Sequence, residues 1–567
     1  MRKCMNKVVA CFMVMAMAAG LTGCGGNKTS KEEENVTSVV QENNRTEAAS
    51  EETGADVEYA DDACEEIWDF QNNKSDAAVE MDSARGETEF NTNEYNNVAE
   101  NGWMQVENAP LSTFAADVDT ASYSQIRSCI QNGYDVDPSM VRIEEMINYF
   151  HYDYEKPKKG EKFSVYTEYM DCPWNTDTKL AMVAMNTEDI DFSEAPASNL
   201  VFLIDTSGSM FDENKLPLVQ QSMCLLAENL TKKDRVSVVT YAGSDEVRLQ
   251  GAKGNEYHKI AQTIEELEAW GSTNGSAGIE TAYEIARENF IEGGNNRVIL
   301  CTDGDLNVGV TSEGELERLI TKEKESGVFL SVLGVGYGNY KDNKLETLAD
   351  KGNGNYAYID SIFEAKKALV DEMGANLTVV AKDVKLQVEF NPEQVKGYRL
   401  IGYENRVMDA QDFADDTKDG GEMGAGHSVT ALYEIIPVDS DMEIPEIQFK
   451  YDGNKKQEEV ENKTSFADEL FTVNIRYKEP DGDKSKLESY PCGKSSYNKK
   501  GSDNLRWAAA VAAYGMILKD SEYCGDATTD LVLELACSAR NDRMDLDYQD
   551  EFISLLTEQT RFPIGID

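Results

Sequence analysis

The sequence predicts an α/β protein, with a doubly wound, mostly parallel sheet flanked by a β-rich, sandwich-like domain and closed by C-terminal helices. Three observations carry this reading. Between about Asn199 and Leu377, nearly continuous apolar runs alternate with segments whose apolar residues recur at helical spacing, the pattern of a parallel sheet covered on both faces. Strand signals stand both before and after that stretch. Beyond Asn504, apolar stripes at helical spacing return.

Taken in order, the 567 residues open with Arg2, Lys3 and Lys7 ahead of the apolar segment Val8 to Leu21. That segment is short for a bilayer span, so residues 1–23 are expected to be an export signal. Its end, Leu21-Thr22-Gly23-Cys24, resembles the bacterial lipobox, in which cleavage leaves the cysteine as a lipid-bearing N-terminus. The resemblance implies a chain anchored to the bacterial cell membrane through Cys24 and working outside the cytoplasm. Residues 24–100 are Glu, Asp, Asn, Ser and Thr with few apolar side chains, too few to offset the entropy of ordering. They are expected to form a disordered acidic tether, a coil of roughly 75 residues reaching about 50 Å.

A formal net charge of -51 excludes nucleic acid as a partner, because nothing on such a surface neutralises a row of phosphates. The chain holds eleven cysteines and three histidines; neither set shows metal-type spacing, and disulfide pairing is left open. Cys224 and Cys301 lie in apolar runs and are expected to be buried thiols.

Residues 101–195 form an N-terminal helical and β region. Ala121 to Asn132 and Val141 to Phe150 have helical spacing, while Phe163 to Tyr169 and Leu180 to Met185 alternate or run apolar as strands do. Asp117-Val118-Asp119-Thr120 invites comparison with the DxDx(T/V) loop of aspartate-nucleophile phosphatases, but Thr120 stands one position early. A helix N-cap at Thr120 or Ser122 is the simpler role.

Residues 196–378 carry the strand-helix alternation. Asn199 to Ile204, Asp234 to Tyr241, Asn296 to Thr302 and Val328 to Val335 are the strands; Leu216, Val219, Met223, Leu226 and Leu230 mark a first helix, Ile260, Ile264 and Leu267 a second. In such a sheet, ligands bind beyond the carboxyl ends of the strands. Three loops there are rich in hard oxygen ligands: Asp205-Thr206-Ser207-Gly208-Ser209, Gly271-Ser272-Thr273-Asn274-Gly275, and Thr302-Asp303-Gly304-Asp305. In this order they resemble the von Willebrand factor type A domain, whose metal-ion-dependent adhesion site combines a DxSxS loop, a threonine and an aspartate. The resemblance implies that Ser207, Ser209 and Thr273 offer hydroxyl oxygens while Asp205 and Asp303 hold Mg²⁺ or Mn²⁺ directly or through water. One octahedral position would remain for an acidic residue of a protein ligand.

Other motifs are weaker. Asp303-x-Asp305-x-Asn307 lacks the glycine and the bidentate Glu of an EF-hand. Gly334-Val335-Gly336-Tyr337-Gly338 has the wrong spacing for a dinucleotide loop and is expected to be a turn. No GxSxG elbow is present.

Residues 379–567 are expected to form a β-rich domain with terminal helices, its strands at Val384 to Phe390, Tyr398 to Tyr403, Val429 to Ile436 and Leu470 to Tyr477. Val384 to Pro392, Tyr398 to Arg406 and Gly424 to Glu434 resemble a C-terminal domain of uncharacterised role that accompanies A domains in bacteria, in proteins with stretches similar to Thr113 to Tyr154. Strands on both sides of the A domain lead us to expect Phe163 to Met185 to join those after Val384 in one sandwich. Asp409, Asp412, Asp415, Asp416 and Asp419 form an acidic loop, expected to be solvated rather than a Ca²⁺ site. Asn504 to Leu518 and Ala527 to Ala539 are the closing helices.

The expected function is binding of a protein ligand through the metal, without catalysis. The alternative is a metal-dependent hydrolase at the cell envelope, which needs a general base near Asp303 and preferably a second ion.

Overall fold

The computed structural model describes residues 99–116, 119–188, 195–271, 275–304, 313–337, 342–372, 378–418, 420–444, 466–480 and 482–561. The expected export signal, Cys24, the acidic segment through residue 98, Thr273 and Asp419 fall outside them.

The chain begins with β1 (Met104–Gln105), β2 (Leu111–Ala115), α1 (Ala121–Gln131), α2 (Ile143–Asn148), β3 (Phe163–Asp171) and β4 (Lys179–Thr187). The central α/β part follows: β5 (Ser198–Asp205), α3 (Leu216–Glu228), β6 (Arg235–Tyr241), β7 (Asp245–Lys253), α4 (Tyr257–Glu265), α5 (Gly275–Glu288), β8 (Asn295–Thr302), α6 (Glu313–Glu325), β9 (Val328–Gly334), α7 (Asp342–Lys351), β10 (Tyr356–Tyr358) and α8 (Ile362–Lys366). Then come β11 (Val379–Phe390), β12 (Val395–Ile401), β13 (Gly421–Gly424), β14 (Ser428–Pro437), β15 (Glu469–Lys478), β16 (Ser485–Gly493), α9 (Asp503–Leu518), α10 (Thr529–Ala539) and α11 (Leu546–Arg561).

The central sheet has the order β10-β9-β8-β5-β6-β7, and every neighbouring pair is parallel except β6 with β7. Side chains alternate between its faces, as a period of two requires. Leu200, Phe202 and Ile204 of β5 pack on α3 and α4, through Val219, Met223, Leu226, Ile260 and Ile264. Val201 and Leu203 pack on the opposite side against Ile279, Tyr283, Leu316 and Leu345 from α5, α6 and α7. A strand covered on both faces has no polar side to show, which is why β5 is buried from end to end. Truncating one of these side chains, Phe202→Ala for example, removes about 3 to 5 kcal/mol.

The other strands form two antiparallel sheets, one ordered β1-β12-β14-β4-β3, the other β13-β11-β15-β16 with β2 alongside β11. β4 pairs with β14 in the register Val183↔Ala431, so strands from before and after the central part share a sheet, as the sequence led us to expect. Ala181, Val183 and Met185 face the second sheet. Leu180 and Met182 point the other way, into a core built with α1, α2, α9, α10 and α11. The terminal helices therefore cover the outer face of a sandwich. α9 is buried around nearly its whole circumference, and its alanines let neighbours approach; a Cβ on Gly515 would lie 3.0 Å from Ile143 Cγ1.

Several local expectations change. Thr120 occupies the N-cap position of α1 but makes no side-chain capping bond, and the Ser122 hydroxyl donates to Met140 O at 2.7 Å. Asp119 accepts from Tyr356 N at 3.0 Å and pairs with Arg406 at 3.2 Å, a structural use of that carboxylate. Asp416 accepts from Ser485 Oγ at 2.6 Å and faces Arg476 at 3.4 Å, so that aspartate is engaged within the chain. Cys301 is buried, Cys224 only half-buried; all seven cysteines among the described residues are free thiols.

Candidate metal centre

β5 lies between β8 and β6, with Asp205 level with Tyr241 and Ile204 level with Cys301. Asp205 and Thr302-Asp303 consequently leave the sheet side by side at its carboxyl end. The turn after β5 is built by Asp205 itself, whose Oδ1 accepts from Ser207 N at 2.9 Å, an Asx-type closure. Thr302 Oγ1 donates to Asp205 Oδ2 at 3.3 Å, tying the first loop to the third.

The loop before α5 is tied to the same turn. Trp270 N donates to Thr206 O at 2.7 Å and Gly208 N donates to Gly271 O at 3.0 Å. Two residues beyond Gly271 stands Thr273, outside the described residues, and α5 begins at Gly275. α5 sits close on β6 because of Gly278: a Cβ there would lie 2.7 Å from Tyr241 Cβ. Four of the five residues expected at the site, Asp205, Ser207, Ser209 and Asp303, are thus described, and all four lie at this end of the sheet.

Asp205 is fully buried and Ser207 nearly so, whereas Ser209 is exposed. Burial pushes the Asp205 carboxyl up to about 6, against the pull of the Ser207 hydrogen bonds and with a further push from the Asp303 charge. The hydroxyls of Ser207 and Ser209 are 3.1 Å apart. That separation matches the edge of roughly 3 Å expected between adjacent ligands of an octahedron with metal-oxygen distances of about 2.1 Å. Among the described residues no cluster of three or more His, Cys, Asp or Glu could hold a metal. The donor set here is of another kind, two carboxylates with hydroxyls, and it fits a hard divalent cation that retains water.

A cation already reaches the site from within the chain. Lys215 Nζ lies 3.1 Å from Asp303 Oδ2 and donates to Ser209 O at 2.9 Å. Its stem is seated over Gly336, which has φ +78°; a Cβ there would come within 2.5 Å of Lys215 Cε. The segment expected to be a turn is therefore also the cradle of this lysine.

Sequence reasoning missed Lys215, and it missed two aromatics. Trp270 is 84% exposed and Phe211 78% exposed, one in each of the two loops tied together here. Large aromatics standing in otherwise polar loops were the available signal.

Residues 199–372 match the family model of the von Willebrand factor type A domain, residues 89–182 the one described as von Willebrand factor, and residues 375–562 the one described as Uncharacterized protein YfbK, C-terminal. The chain is 40% identical over 472 residues to Uncharacterized protein YfbK of Escherichia coli (strain K12), across 82% of this chain and 80% of that protein. It is 26% identical over 145 residues to inter-alpha-trypsin inhibitor heavy chain H4 of Sus scrofa, across 24% of this chain and 16% of that protein. A solved von Willebrand factor type A structure from Catenulispora acidiphila superposes on 70% of this chain and 89% of its own, at 14% identity and a TM-score of 0.39.

Proposed function

The chain belongs to the YfbK family, and from that premise we propose that it is a lipid-anchored, extracytoplasmic protein of the bacterial cell envelope that captures a protein ligand through a metal-ion-dependent adhesion site. Von Willebrand factor type A domains generally mediate protein-protein interactions, often with a metal ion. The observation that carries the proposal is the union, at one sheet end, of buried Asp205 with two hydroxyls 3.1 Å apart and Asp303 on the adjoining loop.

Asp205, Ser207, Ser209, Thr273 and Asp303 would hold Mg²⁺ or Mn²⁺, which when bound supplies a coordination position for a carboxylate of the ligand. Asp205 orders the first loop through the Ser207 N–H and the third through the Thr302 hydroxyl. Trp270 and Phe211 offer apolar area beside the ion, the residue types on which interfaces concentrate their energy. Leu21-Thr22-Gly23-Cys24 supports lipidation at Cys24. No helix of the described residues is long and apolar enough to cross a membrane.

The test is capture of a ligand from cell-envelope extracts by the full chain, with and without EDTA. Capture is expected to be lost with EDTA and in Asp205→Ala, and restored by Mg²⁺ or Mn²⁺ in the wild type. Capture indifferent to both treatments would overturn the metal-bridged reading, and turnover of the captured species would favour the hydrolase. Cys24→Ala should move the chain from the membrane fraction to the soluble one.

A further inference from the structure

β8 carries a second, unrelated oddity near its amino end. Arg297 follows Asn295 and Asn296 at the head of the apolar run Val298 to Cys301 and is buried, with a relative exposure of 3%. Buried arginines are ordinarily paired with a carboxylate, because a guanidinium removed from water loses several kcal/mol of solvation. Arg297 forms no ion pair with the described residues. Its Nη1 donates to Ser331 Oγ at 2.5 Å, and its Nε has no hydrogen-bond partner. Glu422 is the carboxylate whose field reaches it; burial nevertheless lowers its pKa to about 10.

The side chain lines a cavity of about 450 Å³ between the central domain and the strand β13 with its neighbouring loops. That volume lies within the range of small-molecule sites. Lys324, Lys351, Asn353 and Asn355 line it too. Arg406, at its edge, is shared among Asp350 at 3.1 Å, Asp119 at 3.2 Å and Glu346 at 3.2 Å, and Glu422 accepts from Asn353 Nδ2 at 3.3 Å. In a chain of net charge -51, this lining is cationic.

The wall is held in place by the backbone. Gly354 presses on β9 so closely that a Cβ would lie 1.8 Å from Leu330 O, and Asn353 takes a left-handed φ of 49° to make the turn. The turn brings Asn355 N to Ser331 Oγ at 3.2 Å. Both lone pairs of that hydroxyl are then taken, by Asn355 N and Arg297 Nη1, which leaves its proton to donate.

We propose that this cavity is a binding site for a small oxyanion, a carboxylate or phosphate group carried on a molecule of modest size. Arg297, held in place by the Ser331 hydroxyl, grips the anion, and Lys351 attracts it at the rim. The site lies at the opposite end of β8 from Asp303 and does not depend on the metal.

Calorimetric titration of the full chain with inorganic phosphate and with acetate, in EDTA and at fixed ionic strength, tests this. Saturable binding of either ion is expected, and the ion preferred tells a phosphate from a carboxylate ligand. Arg297→Gln should weaken binding about 10-fold or more, the worth of one charge-assisted hydrogen bond. Lys351→Ala, on an exposed residue, should weaken it roughly 3-fold and decides the matter if the first variant does not fold. The proposal is overturned if neither ion binds the wild type saturably, or if the variants that fold bind as it does.

Discussion

The carboxyl end of the central sheet and the seam where α1, α8 and α11 meet both bury carboxylates, and the chain treats them in opposite ways. At the seam, Arg127 Nη2 lies 2.6 Å from Asp360 and 2.7 Å from Glu364, while its Nη1 lies 3.0 Å from Glu551. Tyr149 adds its hydroxyl to Glu364 at 2.7 Å. At the sheet end, Asp205 is met by a backbone N–H and neighbouring hydroxyls, with no cation of the described residues within ion-pair distance. The difference separates a carboxylate that already faces a cation from one that faces none, whose buried charge is costly until a proton or a cation offsets it.

Four variants break or sharpen that contrast. Arg127→Met strands two buried carboxylates at the seam, so a loss of about 3 to 5 kcal/mol, or failure to fold, is expected in urea unfolding. Asp205→Asn should act in the other direction. The Asp205 carboxyl titrates near 6 in the folded state against an ordinary 3.8, so its proton favours folding. Metal-free stability from this group is full below pH 3.8 and is lost as pH rises through about 6. In EDTA above that pH the asparagine variant should therefore be more stable than the wild type, by up to about 3 kcal/mol, while magnesium titration gives no heat. A variant less stable at neutral pH would show that Asp205 fastens the fold after all.

Trp270→Ala should leave metal binding intact and weaken ligand capture by about 2 kcal/mol, read by surface plasmon resonance once the ligand is in hand. Lys215→Met removes the intrachain cation from Asp303, and Mn²⁺ affinity is expected to rise about tenfold, a difference of roughly 1.4 kcal/mol. An unchanged Mn²⁺ Kd would mean that lysine and metal do not compete.

Much of this was legible in the sequence because burial on both faces writes itself as unbroken hydrophobicity. β5, β6, β8 and β9 were readable for that reason, and their order placed Asp205, Ser207, Ser209 and Asp303 at one end. β7 was not readable: it is the antiparallel edge, and Asp245, Glu246, Val247 and Arg248 are largely in solvent. β10 has three residues, too few for a period. β16 alternates, but only Cys492 is buried, and Pro491 argues against a strand except at an edge. α11 was missed although Tyr548, Phe552, Leu555 and Leu556 hold helical spacing and are buried. Lys215 could not be found, since what marks it is the company it keeps in three dimensions, and Arg297 left only the trace of a charge inside an expected buried strand.

The insertion between β4 and β11 also bears on how the chain reaches its native state. Thr178 Oγ1 donates to Glu434 Oε1 at 2.8 Å across 256 positions of sequence. Closing so long a loop in a disordered polymer is entropically unfavourable and slow, and folding the intervening α/β unit first brings its two ends within reach of one another. On this argument the α/β unit would act as the staple that lets the sandwich around it assemble late, and a nascent chain ending at Asp371 would leave β4 exposing the edge that β14 later covers.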